Sequence, residues 1–363
     1  MSTATRMSSS DRADVQRDPI RHDLRSLPLW LIMLGNLVMV VSLWLLGTGG
    51  MVAKLVLLTF WLVTLLGFGW RGRISRPGLA GAVIFSAMMG VICIGAGDAS
   101  EKLRLVGNLM MLPVGLCVGR LMGRSALLVM LPALVLYLAA TSSFYLTHEG
   151  ARLTQPFLFL GLFALCTVAS GRATGIVAVA SAGAVMLSQT RIAVLAMMIN
   201  LFGWLRWSRA MTWLCACVVL GIAATLIWFY LPRLLMTHDS GRLVFWQDFA
   251  EMWWAASSAQ KWLGFGTGSV EAILSQYRSF ASFGALHNDH FRILFETGIS
   301  GAVLWGAGWL IMIWNVRHRR LSVCILLSVM VTMVTDNTLN YGHYLICCGI
   351  AAGIASRPRV HHA

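Results

Sequence analysis

Apolar runs long enough to cross a bilayer as helices follow one another along this 363-residue chain, and Arg clusters fall between them on every second connection. A hydrocarbon core of about 30 Å needs roughly 20 apolar residues in a helix. Hydropathy places about 12 spans, at 28–47, 51–70, 79–97, 103–119, 125–144, 156–171, 174–190, 192–205, 210–230, 291–314, 321–335 and 338–355. One set of connections carries Arg71, Arg73 and Arg76; Arg120 and Arg124; Arg172; Arg206 and Arg209; Arg317, Arg319 and Arg320; and Arg357 with Arg359, with no Asp or Glu among them. The acidic residues Asp98, Glu101, Glu149, Asp239, Asp248, Glu251, Glu271, Asp289 and Asp336 occupy the other set. Positively charged connections stay on the cytoplasmic side, so this pattern places both termini there. The fold class it predicts is an all-α polytopic membrane protein.

Composition agrees. Charged residues make up 12% and hydrophobic ones 58%, where a soluble domain carries about 25% charge. The net charge of +14 is explained by the cytoplasmic connections, so it does not imply a nucleic-acid partner. All eight cysteines fall within apolar spans and read as small packing residues, with no disulfide framework. Residues 1–27, with five Arg and four Asp, read as a disordered cytoplasmic tail and not as a signal peptide. Spans one to nine fill 28–230, an outer loop fills 231–290, spans ten to twelve fill 291–355, and a short tail ends the chain at 356–363.

The 231–290 loop is the one long connection, and long connections in compact proteins are usually functional. Asp239 or Ser240 can cap a helix from about Gly241 to Ala256, in which Leu243, Trp246, Phe249 and Trp253 recur at helical spacing. Such a helix either lies on the membrane surface or packs on the outer end of the bundle. Leu263-Gly-Phe-Gly-Thr-Gly-Ser269 lacks the Lys-Ser/Thr of a P-loop and reads as a flexible turn or a substrate-lining loop. A second short helix is predicted at about 269–280.

The loop delivers His287-Asn-Asp-His290 to the start of the tenth span. Asn288 or Asp289 can cap that helix. The positive end of its dipole disfavours imidazolium at His287, so the ring reads as a neutral proton acceptor beside an anion-binding helix terminus. Arg292 and Glu296 stand four apart on one face, either as a structural ion pair or to orient the site. Gly298, Gly301, Ala302 and Gly306 offer small-residue spacings for close helix approach. Arg191, at the break Ser188-Gln-Thr-Arg191, and Arg242 each read as a helix-end anchor or as a planar grip for phosphate. His287, Asp289 and His290 could converge on a metal, but no carboxylate-rich motif accompanies them, and the expectation is no metal and no cofactor.

His287-Asn288 followed at this spacing by Gly298 and Gly301, in this topological position, resembles the signature of the bacterial O-antigen ligase and polymerase family. Thr190-Arg191, Gly241-Arg242 with Trp246, and Leu263-Gly-Phe-Gly resemble three further features of it, so the similarity covers roughly 185–350. The resemblance implies a multi-span helical fold with a large periplasmic loop in the inner membrane. It implies transfer of a glycan from undecaprenyl diphosphate to lipid A–core on the periplasmic face, without a metal and with inversion. In that scheme Arg191 and Arg242 hold the diphosphate, His287 deprotonates or orients the acceptor hydroxyl, and Asn288, Glu296, Gly298 and Gly301 support it. The residues beside His287 do not separate ligases from polymerases. The short chain and intact His-Asn pair make a ligase the expected activity and a polysaccharide polymerase the alternative. A protein O-oligosaccharyltransferase or a lipid-linked glycan transporter ranks below both, and no matching pair of broken helices favours transport.

The topology carries its own test. A reporter active only outside the cytoplasm is expected to be active when fused after Gly268 and silent when fused after Arg319. The reverse pattern would put the His287 segment in the cytoplasm.

Overall fold

A computed structural model of the chain describes residues 27–68, 76–147, 150–169, 171–205, 242–276 and 285–357. Nearly all of the predicted tail, Arg71 and Arg73, His148 and Glu149, the span at 210–230 with its two cysteines, the caps Asp239 and Ser240, and Arg278 lie outside those residues. The described chain is mostly helical. Its helices are α1 (Leu29–Leu45, ending in a π turn), α2 (Met51–Phe68), α3 (Arg76–Ile94), α4 (Ala99–Met122), α5 (Ser125–Thr141), α6 (Pro156–Val168), α7 (Arg172–Leu187) and α8 (Arg191–Trp204). They continue as α9 (Arg242–Ala255), α10 (Ser258–Leu263), α11 (Ser269–Gln276), α12 (Asp289–Val316), α13 (Arg320–Thr335) and α14 (Gly342–Ser356). A hairpin of β1 (Phe144–Thr147) and β2 (Gly150–Leu153), which the sequence did not lead us to expect, joins α5 to α6.

Two helices, α4 and α12, are long and apolar enough to cross a membrane, and nine shorter apolar helices accompany them among the described residues. Their apolar side chains do not all turn inward. Leu29, Trp30, Met33 and Leu37 on α1, Ile176 and Val179 on α7, and Val303, Leu310 and Trp314 on α12 are exposed. Soluble monomers rarely show apolar surface on this scale.

The two ends of the bundle differ in charge. At one end Arg320 donates to the Phe202 carbonyl at 2.6 Å, and Arg357 lies against Gly123 beside Arg124. At the other end the α3–α4 turn meets the 264–268 loop, where Thr267 N–H bonds to the Ala96 carbonyl at 3.0 Å. Residues 337–340 pack there against the start of α12. Among the described residues, Arg320, Arg124 and Arg357 therefore lie at helix ends away from the one that carries Asp289 and Asp336.

The closest helix contact is between α4 and α14. A Cβ on Gly115 would lie 2.5 Å from the Ile346 carbonyl, and one on Gly353 would lie 2.4 Å from that of Leu116. Gly115 and Gly119 face Gly349 and Gly353, a small-xxx-small seam on both helices that lets the backbones touch. The seam predicted on α12 is a different feature. A Cβ on Gly301 meets only its own helix's Thr297, and one on Gly306 meets nothing within 4 Å.

Nor is α12 one continuous span over 291–314. Gly298 has φ 68° and ψ −169° and breaks it. Nine residues precede the break as a short helix, and eighteen follow it, about 27 Å at 1.5 Å per residue. That second stretch has the length of a bilayer core. The break releases the carbonyls of Phe295 and Glu296, and the 263–268 loop takes them: Phe265 N–H donates to Phe295 at 2.9 Å and Gly266 N–H to Glu296 at 3.1 Å. Leu263-Gly-Phe-Gly is therefore a latch on the broken helix. Arg292 and Glu296 lie before the break, apart from the eighteen-residue apolar stretch that follows it.

Gly298 is required twice over, by its positive φ and by space. A Cβ would lie 2.4 Å from the Trp262 carbonyl. Gly298→Ala is expected to cost about 1–3 kcal/mol, read as a lowered Tm in detergent, while Gly306→Ala leaves Tm within a degree. Equal Tm values for the two variants would mean that the latch does not depend on the break.

Candidate functional site

The site is built on the short helix before Gly298. Asn288 caps it, its Oδ1 accepting from Phe291 N–H at 2.9 Å. A cap of this kind stabilises a helix start by about 1 kcal/mol. Asp289, the other capping candidate, is instead turned inward and fully buried. Its Oδ2 accepts from Leu339 N–H at 2.8 Å and from the Thr338 hydroxyl at 3.3 Å. Burial pushes this carboxyl up to about 7, against the Leu339 N–H and the Arg292 charge, which draw it down.

His287 stands just outside the cap with φ 53°, a left-handed conformation that is uncommon for any residue but glycine. A bond holds it there: its N–H donates to Asn337 Oδ1 at 2.9 Å. Asp336, the neighbour of Asn337, brings a carboxylate oxygen to 4.0 Å from His287 Nδ1. That distance is an ion-pair approach and too long for a hydrogen bond. On the loop side, Trp246 Nε1 donates to the Leu286 carbonyl at 2.7 Å. The backbone at 286–287 is thus held from the α13–α14 connection on one side and from α9 on the other.

His290 has a different task. Trp305 Nε1 donates to its Nδ1 at 3.0 Å, and its Nε2 lies 3.1 Å from the Met330 carbonyl. Accepting at Nδ1 and donating at Nε2, it is a neutral ring that joins α12 to α13. His287, Asp289 and His290 therefore point to three separate sets of partners and do not converge on one point.

Behind the helix lies an ionic network that is buried at Arg292 and Glu296 and half-exposed at Glu271, Glu101 and Arg104. Arg292 Nε bonds to Glu296 Oε1 at 3.1 Å, and Arg292 approaches Glu271 on α11 at 3.7 Å and Asn340 at 3.5 Å. Arg104 on α4 bridges Glu101 at 2.7 Å and Glu271 at 2.5 Å. Lys54 on α2 is 2% exposed and stands within electrostatic range of Arg104, Arg292, Glu271 and Asp289. The buried Arg292–Glu296 pair contributes little net stability, but losing one partner strands a buried charge. The network ties α11, α4 and α12 into one unit. A small core of Phe249, Val270, Leu274, Leu286 and Phe295 supports it, with Trp246 and Trp253 packed against them. The helix predicted over 241–256 therefore packs on the end of the bundle, although Trp254 on its other side is exposed.

The two arginines chosen from sequence stand in different relations to His287. Arg191 is exposed at the first position of α8. Helix α8 runs antiparallel to α13, with Gly203 against Leu321 and Cys324, so Arg191, about 18 Å back along its helix, is level with the Thr335–Asp336 end of α13. It makes no direct contact with His287. Arg242 begins α9 one turn before Trp246, and its side chain lies outside the described residues. Glu296 is in the ionic network and Gly298 is the break. Gly301 is buried one turn beyond the break.

Sequence reasoning missed Asp336 and Asn337 as partners of His287, and Lys54, Arg104 and Asn340 as members of the network. Asp336 had one visible signal, an acid at the outer end of a span. Lys54 had another, a lone Lys inside an apolar run. No family model matches this sequence, and no curated protein matches it either.

Proposed function

We propose that the protein is a transferase of lipid-linked glycans of the O-antigen ligase type, with about 12 transmembrane helices, both termini cytoplasmic and the His287 end of the bundle facing the periplasm of the inner membrane. The donor is a glycan on undecaprenyl diphosphate and the acceptor is lipid A–core. The observation that carries the reading is His287 held in a strained backbone conformation beside Asp336, at the acidic end of an apolar-surfaced bundle.

The chemistry needs a base, a way to hold that base, and positive charge for the leaving group. The acceptor hydroxyl oxygen attacks the anomeric carbon, and the bond from that carbon to the diphosphate oxygen breaks. Its electron pair leaves with undecaprenyl diphosphate. The hydroxyl proton passes to the imidazole of His287, and the Asp336 carboxylate, 4.0 Å from Nδ1, offsets the positive charge that the ring then carries. The leaving diphosphate needs cations and no protonation, a role we assign to Arg191 and Arg242, whose planar forks suit phosphate. One base and two arginines form a sufficient set without a metal, and attack opposite the leaving group inverts the anomeric centre.

Deleting the gene and running the cell's lipopolysaccharide on a gel tests the assignment. Loss of a ligase is expected to leave bare core with lipid-linked glycan accumulating. Core capped by a single repeat would mean a polymerase, and an unchanged ladder would exclude both.

A further inference from the structure

Lys54 is the only charged residue in α2, and the chemistry proposed above does not use it. An ionisable side chain inside an apolar membrane helix is costly and persists where a partner or a function holds it. Lys54 is almost fully buried, and its Nζ has no hydrogen-bond partner. Its stem packs on the start of α14, where a Cβ on Gly342 would lie 3.1 Å from Lys54 Cγ. Lys54 therefore stands against the end of the 336–341 connection, with its ammonium in electrostatic range of Arg104, Arg292, Glu271 and Asp289.

The charges around it need it. Arg104 pairs with Glu101 and Glu271, and Arg292 with Glu296 and Glu271. Asp289 is a fourth acid, drawn by Arg292 and repelled by Asp336. Two guanidinium groups thus face four carboxyl groups. Asp289 Oδ1 accepts no hydrogen bond. Its Oδ2 holds the Leu339 N–H and the Thr338 hydroxyl, and the same stretch of chain holds His287 through Asn337.

We infer that Lys54 is a positioning residue for His287: its charge lets Asp289 stand buried as a carboxylate and clamp 338–339, so that Asn337 can hold the His287 backbone. The inference rests on the proposed function only for what His287 does. Lys54 acts through its field and not through a bond. A nearby cation favours an ionised carboxyl and a nearby anion disfavours it. Losing Lys54 therefore drives Asp289 toward the neutral form, which accepts hydrogen bonds more weakly. Glu271 is the acid whose loss offsets that of Lys54. It is shared by two arginines that each keep another carboxylate, and it is partly exposed, so its removal strands no buried charge. With Lys54, three cations face four acids, an excess of one acid. Lys54→Met raises that excess to two, and adding Glu271→Gln returns it to one.

The test is hydrogen exchange on the full-length protein in nanodiscs, read over 285–290 and 336–341. There the bonded N–H groups of His287 and Leu339 report the clamp directly. Lys54→Met is expected to speed exchange in both segments about tenfold, with α4 and α14 along their glycine seam unchanged. Adding Glu271→Gln is expected to bring exchange back to within about twofold of wild type, because it restores the charge balance and cannot restore packing. Unchanged exchange in Lys54→Met would overturn the inference. So would a double variant that does not recover, or faster exchange across all helices in both variants, since either makes Lys54 a packing residue. Single-turnover transfer separates this inference from the function it serves. Lost protection with undiminished transfer would remove His287 from the reaction and leave the role of Lys54 standing. Slowed transfer with protection intact would overturn the inference and leave the proposed function standing.

Discussion

One broken peptide geometry organises the outer end of this protein. At Gly298 the backbone leaves the helix, and two carbonyls are captured by the N–H groups of Phe265 and Gly266. An unsatisfied carbonyl at this depth would cost several kcal/mol on the order of a lost buried hydrogen bond. The latch removes that cost and also fixes the 263–268 loop onto the bundle. Below the break, α12 is a helix of bilayer length with apolar side chains facing outward. Above it, α12 is a short helix that carries Asp289, Arg292 and Glu296, so the break separates these ionisable residues from the apolar stretch.

Everything that shapes His287 follows from that short helix being fixed. Asp289 locks it to 338–339, Asn288 caps it, and Asn337 reaches back to hold the His287 backbone in a conformation it would not choose alone. Strain of this kind persists where surrounding bonds over-determine it, and it gathers at functional positions. The pair His287–Asp336 is the consequence. Behind it, the Arg292–Glu296–Glu271–Arg104 network joins loop and bundle with directional bonds, which fix geometry more than they add stability. The site is therefore carried by packed helices and not by a free loop, which is the rigidity the proposed base would need.

Much of this could be read in the sequence, for physical reasons that differ by element. Hydropathy is a property of single segments, so the helices were legible. So were the Asn288 cap and the Arg292–Glu296 pair, which act within one turn. The rest depends on long-range contact. Gly298 looked like a helix-packing glycine because the residues that demand its positive φ, Trp262 and Gly264, are some thirty-five positions away. The real glycine seam, Gly115 and Gly119 against Gly349 and Gly353, joins segments more than two hundred residues apart. Asp336 and Lys54 carry no local motif; only the fold brings them to the site. The β1–β2 hairpin is short and bounded by an apolar helix on each side, and periodicity gives little signal over four residues.

The central claim is that His287 is the base for glycan transfer at this end of the bundle. The most direct measurement is single-turnover transfer by purified protein in lipid vesicles, from lipid-linked glycan to lipid A–core, comparing wild type, His287→Ala and His290→Ala at matched folded protein. A positioned base contributes about 10²–10⁴ in rate. His287→Ala is predicted to fall by that factor while His290→Ala, which loses only structural bonds, keeps substantial activity. Near wild-type transfer by His287→Ala, or the opposite ranking of the two histidines, would contradict the account.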